Sequence, residues 1–293
     1  MTRSLRSLPA QRTFERRPPA VAGTFYPDDP AALRRMVDQL LRDAAAAQAG
    51  GEQAIGQPKA LIAPHAGYPY SGPIAASAYV AIEALRACVQ RVVLIGPAHR
   101  VAVAGLATSS ASVFETPLGD VPVDREAVDR LTQLPEVRTH DLAHAPEHGL
   151  EVHLPFLLHA LGEPTTPERG AGAGEGLRIV PLLFGQATEA QVARVLAEVW
   201  GGRETLIVVS SDLSHFHDYE TARRRDRATA AHILAGDAEA IGPTEACGHL
   251  AIRGLMRQAR THCLHPRLLD LRSSGDTAGP HHEVVGYGSF LYC

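Results

Sequence analysis

The sequence predicts an α/β fold built on a mostly parallel or mixed central sheet. Three stretches carry that expectation: Ala60-Leu61-Ile62-Ala63, Arg91-Val92-Val93-Leu94-Ile95-Gly96 and Leu206-Ile207-Val208-Val209-Ser210-Ser211. Each is a short apolar run of the kind a strand shows when it is buried on both faces. Amphipathic helical patterns lie between them, as a parallel sheet requires. Each run also ends abruptly in polar residues. The first is followed by Pro64-His65, the second by Pro97-Ala98-His99, and the third by Asp212-Leu213-Ser214-His215. Open α/β sheets bind their ligands beyond the carboxyl ends of the strands, so three such endings point to one site.

The remaining elements follow in order. Residues 1–17 read as a disordered basic tail, and residues 18–293 as a single α/β domain. Asp29 caps a helix that has Pro30 in its first turn and Leu33, Met36, Val37, Leu40 and Leu41 at a 3.6-residue period. The glycines and prolines of residues 64–72 read as a tight, shaped loop, followed by a helix through Ile74, Tyr79 and Leu85. Thr116 to Asp120 reads as a hairpin turn, and Asp124 to Leu134 as a helix. Next comes a histidine-dense segment with His140, His144, His148, His153, His159, Glu147 and Glu151. Five histidines cannot all ligate one ion. The expectation is a helix facing the site through Glu151 or His148. Residues 163–176 read as a low-complexity surface loop. Leu177 to Phe184 reads as a strand whose Pro181 suggests an edge or a bulge. Helices are expected over 187–200, 219–235 and 243–260, the last carrying Cys247 in its first turn. Two strands, 268–273 and 284–292, close the chain.

Composition narrows the function. The chain has 293 residues, 28 basic and 32 acidic, for a formal net charge of −4. That balance gives no reason to expect nucleic acid or an anionic membrane as partner. No apolar run reaches the ~20 residues of a membrane helix, and the basic start is not followed by the apolar run of a signal peptide. A cytoplasmic protein is expected, with Cys88, Cys247, Cys263 and Cys293 as free thiols. No Gly-rich nucleotide loop and no Gly-x-Ser-x-Gly elbow is present.

Two neutral histidines with one anionic residue describe a redox-metal site with open positions. His65 and His99 are the histidines. Cys247 is a candidate for the third ligand, in competition with Asp212 or a glutamate of the 147–151 segment. Cys247 can also be read as a small buried hydrophobe. His215 is the candidate general acid/base, with Asp212 as the nearest group to fix its tautomer. Tyr70, His148 and Glu151 are expected to line the cavity.

Five motifs also carry a resemblance: Pro19 to Pro27 (PAVAGTFYP), Ala63-Pro64-His65-Ala66-Gly67-Tyr68, Leu94-Ile95-Gly96-Pro97-Ala98-His99, Glu147 to Pro155 (EHGLEVHLP), and Ser210-Ser211-Asp212-Leu213-Ser214-His215. In order and together, they resemble the Memo family, whose prokaryotic members are labelled AmmeMemoRadiSam system protein B. The resemblance runs from about Arg17 to the C-terminus. It implies a three-layer α/β/α sandwich similar to class III extradiol ring-cleaving dioxygenases. It also implies that His65, His99 and Cys247 hold iron or copper, with zinc as another candidate, and that His215 is the acid/base residue beside Asp212. Where the ring-cleaving enzymes use a glutamate, this pattern has a cysteine. The resemblance therefore leaves two main functions open, with a metal-dependent hydrolase as a third reading. One is a metal-dependent, dioxygenase-like redox protein. The other is a non-catalytic adaptor that holds a peptide or small ligand in the same cavity. The family label further implies, by association, radical-SAM and AMMECR-type partners.

Overall fold

The computed structural model describes residues 15–49, 56–162 and 176–293. The expectations for residues 1–14 and for the 163–175 loop lie outside these. At its inner end the predicted tail is corrected. Arg16–Arg17 form a short strand (β1), and Arg17 is 2% exposed.

Asp29 caps α1 (Pro30–Gln48) through its side chain, which accepts from the Ala32 amide, and Leu33, Val37 and Leu41 are buried. Strand β2 (Ala60–Ala63) is fully buried. Helix α2 (Tyr68–Val80) starts earlier than expected, so the shaped loop is only residues 64–67. Its Pro69 stands in the first turn, where a missing N–H costs nothing. Strand β3 (Arg91–Pro97) follows. Short strands β4 (Leu106–Thr108), β5 (Val113–Thr116) and β6 (Gly119–Pro122) come next, and β5 and β6 form the predicted hairpin. Strand β1 adds to β5, giving a three-stranded sheet at the side of the main one.

Helix α3 (Arg125–Leu131) and strand β7 (Val137–Thr139) lead into the histidine-dense segment. There the expected single helix breaks up. Helix α4 (Asp141–His144) is one turn, residues 145–150 form no regular element, and a 3₁₀ turn (Glu151–His153) runs into α5 (Leu154–Leu161). Pro146 and Gly149 make the break intelligible, because both oppose continued helix.

Strand β8 (Arg178–Phe184) pairs with β3 along its whole length. Its Pro181 is nevertheless inside the sheet. On the far side β4 reaches only Leu183 and Phe184, and the Pro181 position has no ladder partner there. Helix α6 (Glu189–Glu198), strand β9 (Thr205–Ser210), strand β10 (His215–His217) and helix α7 (Tyr219–Ala235) follow. The helix expected over 243–260 is shorter, α8 (His249–Thr261), and Cys247 lies before it. Strands β11 (Pro266–Ser273) and β12 (Val284–Tyr292) complete the chain.

The main sheet is mixed, in the order β10-β12-β2-β9-β3-β8-β4-β7, with β11 paired to β12. Its centre, β2-β9-β3-β8, is parallel. Helices α1, α2 and α5 pack together in one layer, and α6 with α8 in the other. The result is a three-layer α/β/α sandwich. Among the described residues no helix is long and apolar enough to cross a membrane.

Candidate metal centre

The three strands predicted to deliver the site are neighbours in the sheet. Strand β9 lies between β2 and β3, and all three run the same way. His65, Asp212 and His99, each two residues beyond a strand, therefore emerge at one edge.

His65 is 2% exposed, and its imidazole is oriented by a relay. Ser210 Oγ donates to the Gly149 carbonyl at 2.5 Å, so its oxygen must accept from His65 Nδ1 at 2.6 Å. That arrangement puts the proton on Nδ1 and leaves the Nε2 lone pair free. Nε2 is 3.5 Å from Cys247 Sγ. Burial, followed by the neighbouring histidines, lowers the His65 pKa well below its ordinary value, so the ring is neutral, as a ligand requires.

Cys247 reaches this point because the chain folds closely over the end of β9. Its amide donates to the Asp212 carbonyl at 3.3 Å, and the Asp212 amide lies 3.3 Å from Sγ. The Gly248 amide donates to Ser211 Oγ at 2.9 Å. A Cβ at Gly248 would come within 2.4 Å of Ser211 Cβ, so glycine is needed for the approach. The expected place of Cys247 in a helical first turn is corrected. Cys247 stands two residues ahead of α8, and burial, with the Asp212 charge, pushes the thiol up to about 12. An ion at Sγ would reverse that balance, because a coordinating thiol is deprotonated.

His99 is held by Glu147. Its amide donates to Oε2 at 2.7 Å and its Nδ1 to Oε1 at 2.8 Å. The Gly149 amide adds a third bond to Oε1 at 2.9 Å. Burial alone would raise the Glu147 pKa. The His99 bond and charge and the two amides outweigh burial and bring the pKa down to about 2. Such a carboxylate–histidine pair fixes ring orientation and raises ligand basicity. Sequence reasoning offered Glu147 only as a competing ligand and missed Ser210 altogether. The adjacency of Glu147, His148 and Gly149 was the available signal for the first, whereas nothing in a strand-end serine distinguishes it from a cap.

His65, His99 and Cys247 each place a ligating atom within 4.8 Å of the others. Asp212 Oδ1 accepts from the His65 amide at 2.8 Å, and Oδ2 is 4.0 Å from His65 Nε2. Burial raises the Asp212 pKa, opposed first by the charge of His215. Asp212 does not fix the His215 tautomer. His215 Nδ1 donates to the Leu213 carbonyl at 2.8 Å, leaving its Nε2 free.

A cavity of about 580 Å³ opens beside these groups, and Phe25, Gly67, Tyr70, His148, Asp212 and Tyr287 contribute to its wall. Glu151, also expected in this wall, lies elsewhere. It is fully buried, and its oxygens accept from Arg17 at 2.6 Å, the Ala20 and Val21 amides at 2.7 and 2.9 Å, and Tyr26 Oη at 2.6 Å. It anchors the entering chain to the segment that carries Glu147.

The family model described as Memo-like protein matches residues 17–291. The chain belongs to the Memo-like family. Full-length relatives agree. A MEMO1 family protein of Aeropyrum pernix is 37% identical over 292 residues, covering 92% of this chain and 97% of its own. One from Aquifex aeolicus is 33% identical over 294 residues, with 94% and 98% covered. One from Methanopyrus kandleri is 31% identical over 298 residues, with 94% and 98% covered. The Memo-like match begins at Arg17, the residue whose guanidinium meets Glu151.

Proposed function

We propose that this Memo-like chain is a metal-dependent redox protein. Its centre would be iron or copper held by His65, His99 and Cys247, with zinc as the redox-inert competitor. The observation that carries the reading is the pair of orienting bonds. Ser210 commits the Nδ1 proton of His65, and Glu147 commits that of His99. Each ring is left with one lone pair, and a thiol lies 3.5 Å from that of His65. An N₂S donor set of this kind suits copper, zinc or iron. A bound iron or copper would supply one-electron chemistry.

The chain's own residues would supply the rest. The Leu213 carbonyl holds the His215 Nδ1 proton, so Nε2 can take or return a proton during a reaction. Phe25, Tyr70 and Tyr287 give the cavity an aromatic wall suited to a small aromatic ligand.

The test is elemental analysis of protein purified without oxygen, comparing the native chain with Cys247→Ala and His65→Ala. Near-stoichiometric iron or copper that falls sharply in both variants supports the reading, and oxygen uptake with a panel of small aromatics then tests turnover. Absence of metal from the native chain, even after reconstitution, overturns it in favour of a ligand-binding adaptor.

A further inference from the structure

His99 has a second set of neighbours. On its Glu147 side, His148 Nδ1 lies 3.3 Å from Glu147 Oε1, and the His99 and His148 rings stack with centroids 4.7 Å apart. His148 Nδ1 is buried and makes no hydrogen bond, an expensive state for a polar atom. Burial lowers the His148 pKa to about 4, so the ring is neutral, whereas Glu147 is anionic. One ligating atom from each of His99, Glu147 and His148 lies within 4.8 Å of the other two.

We propose that His99, Glu147 and His148 form a second cation site, harder than the cysteine-containing set, for a divalent ion such as Mn²⁺ or Fe²⁺. The chemistry of the donors carries the assignment. Two imidazoles and one carboxylate are the donors that borderline-hard divalent ions prefer, and thiolate is the donor soft ions prefer. The unpartnered His148 nitrogen gains its missing partner only if an ion or water sits against it. The Glu147 oxygen that it approaches already points at His99 Nδ1. The two sets share His99, and a neutral imidazole has one lone pair. With the proton on Nδ1, the lone pair serves the Cys247 side. When the proton moves to Nε2, the lone pair serves the Glu147 side. The two sites are therefore alternatives, a consequence that rests on the N₂S reading above.

The experiment uses the full chain carrying Cys247→Ala, titrated with Mn²⁺ and followed by the paramagnetic resonance of the free ion. One Mn²⁺ per chain is expected. Adding His148→Ala should weaken that binding at least tenfold. Removing the His148 ring takes away its packing against His99 and Phe25, so a modestly lowered melting temperature with a single cooperative transition is expected and serves as the folding control. If Cys247→Ala binds no Mn²⁺, or the double variant binds it equally well, the second site is overturned. In a separate arm, His148→Ala alone is loaded with Co²⁺. A retained thiolate-to-cobalt absorption shows the cysteine set intact, and its loss counts against two separate sets. In the native chain, Cu⁺ should displace Mn²⁺; simultaneous binding of both would overturn the alternation.

Discussion

Removing the Ser210 hydroxyl tests the relay that orients His65. Ser210→Ala keeps the strand and the Cβ but deletes the oxygen between His65 Nδ1 and the Gly149 carbonyl. Ser210 is fully buried and His65 is 2% exposed, so water has little access to replace it. Two buried polar groups then lose their partner, at about 1–3 kcal/mol each. The expected loss is about 2–6 kcal/mol, a large part of the ~5–15 kcal/mol that holds a domain together. Urea denaturation of the metal-free chain measures it. The second effect concerns the ligand. With Nδ1 no longer committed, the proton is free to sit on Nε2, the atom facing Cys247. Loss of such an orienting partner costs about 10–100-fold in metal affinity, which a competition titration with a chromophoric chelator reads. If Ser210→Ala changes stability by less than about 0.5 kcal/mol and metal affinity by less than about twofold, the relay does not orient His65 and the tautomer argument fails.

Three further outcomes are expected. Glu151→Gln leaves the buried Arg17 guanidinium without its counter-charge and should cost about 3–5 kcal/mol, measured by denaturation; a loss under about 1 kcal/mol would sink the anchoring role. Asp226 accepts from the Ser214 amide at 3.0 Å and is raised by burial to about 6, so folding it as an anion costs stability once pH passes from 3.8 through 6. Asp226→Asn should therefore be more stable than the native chain at pH 7, by at most about 3 kcal/mol, and lose that advantage near pH 4; equal stability at both pH values would refute this. The buried histidines act in the opposite direction. Burial lowers His144 and His148 to about 4 and His153 to about 3, so the unfolded chain takes up their protons first, and stability should fall as pH drops from 6.5 towards 4. Near pH 5 these three, together with His65, outnumber the opposing carboxyls Asp226 and Asp212, and a melting temperature that rises on acidification over this range would contradict the assignment.

The sheet was legible because double-sided burial leaves an unmistakable run of apolar, mostly β-branched residues, as in Leu206 to Val209. Helices with a cap and a clean period, α1 and α7, were legible for the same kind of reason. The 141–153 segment was not. Its spacing imitates a helix, but a buried cluster of polar groups decides its path. Glu151 illustrates the difficulty: a carboxylate at the right spacing for the cavity is spent instead on Arg17, Tyr26 and two amides that lie about 130 residues away in sequence. The candidate ligand set was legible in part. His65 and His99 follow from strand ends, whereas Cys247 was singled out from its competitors only by family resemblance, because its position depends on Gly248 allowing a close approach to Ser211. The partner of the His215 ring was misread, since no sequence pattern separates a neighbouring carboxylate from a neighbouring carbonyl.

The placement of β9 between β2 and β3 has a consequence for how the protein is made. Strands β2 and β3 emerge early in synthesis, yet in the finished sheet they do not pair with each other. They flank an empty lane until residues 205–210 arrive. Cys247 follows later still. No fragment that stops short of it holds all three ligands, and long-range parallel pairing is slow to form. Metal capture by the proposed cysteine set would thus report on completion: an ion retained through His65, His99 and Cys247 would certify that the central lane has been filled and the chain beyond it folded back.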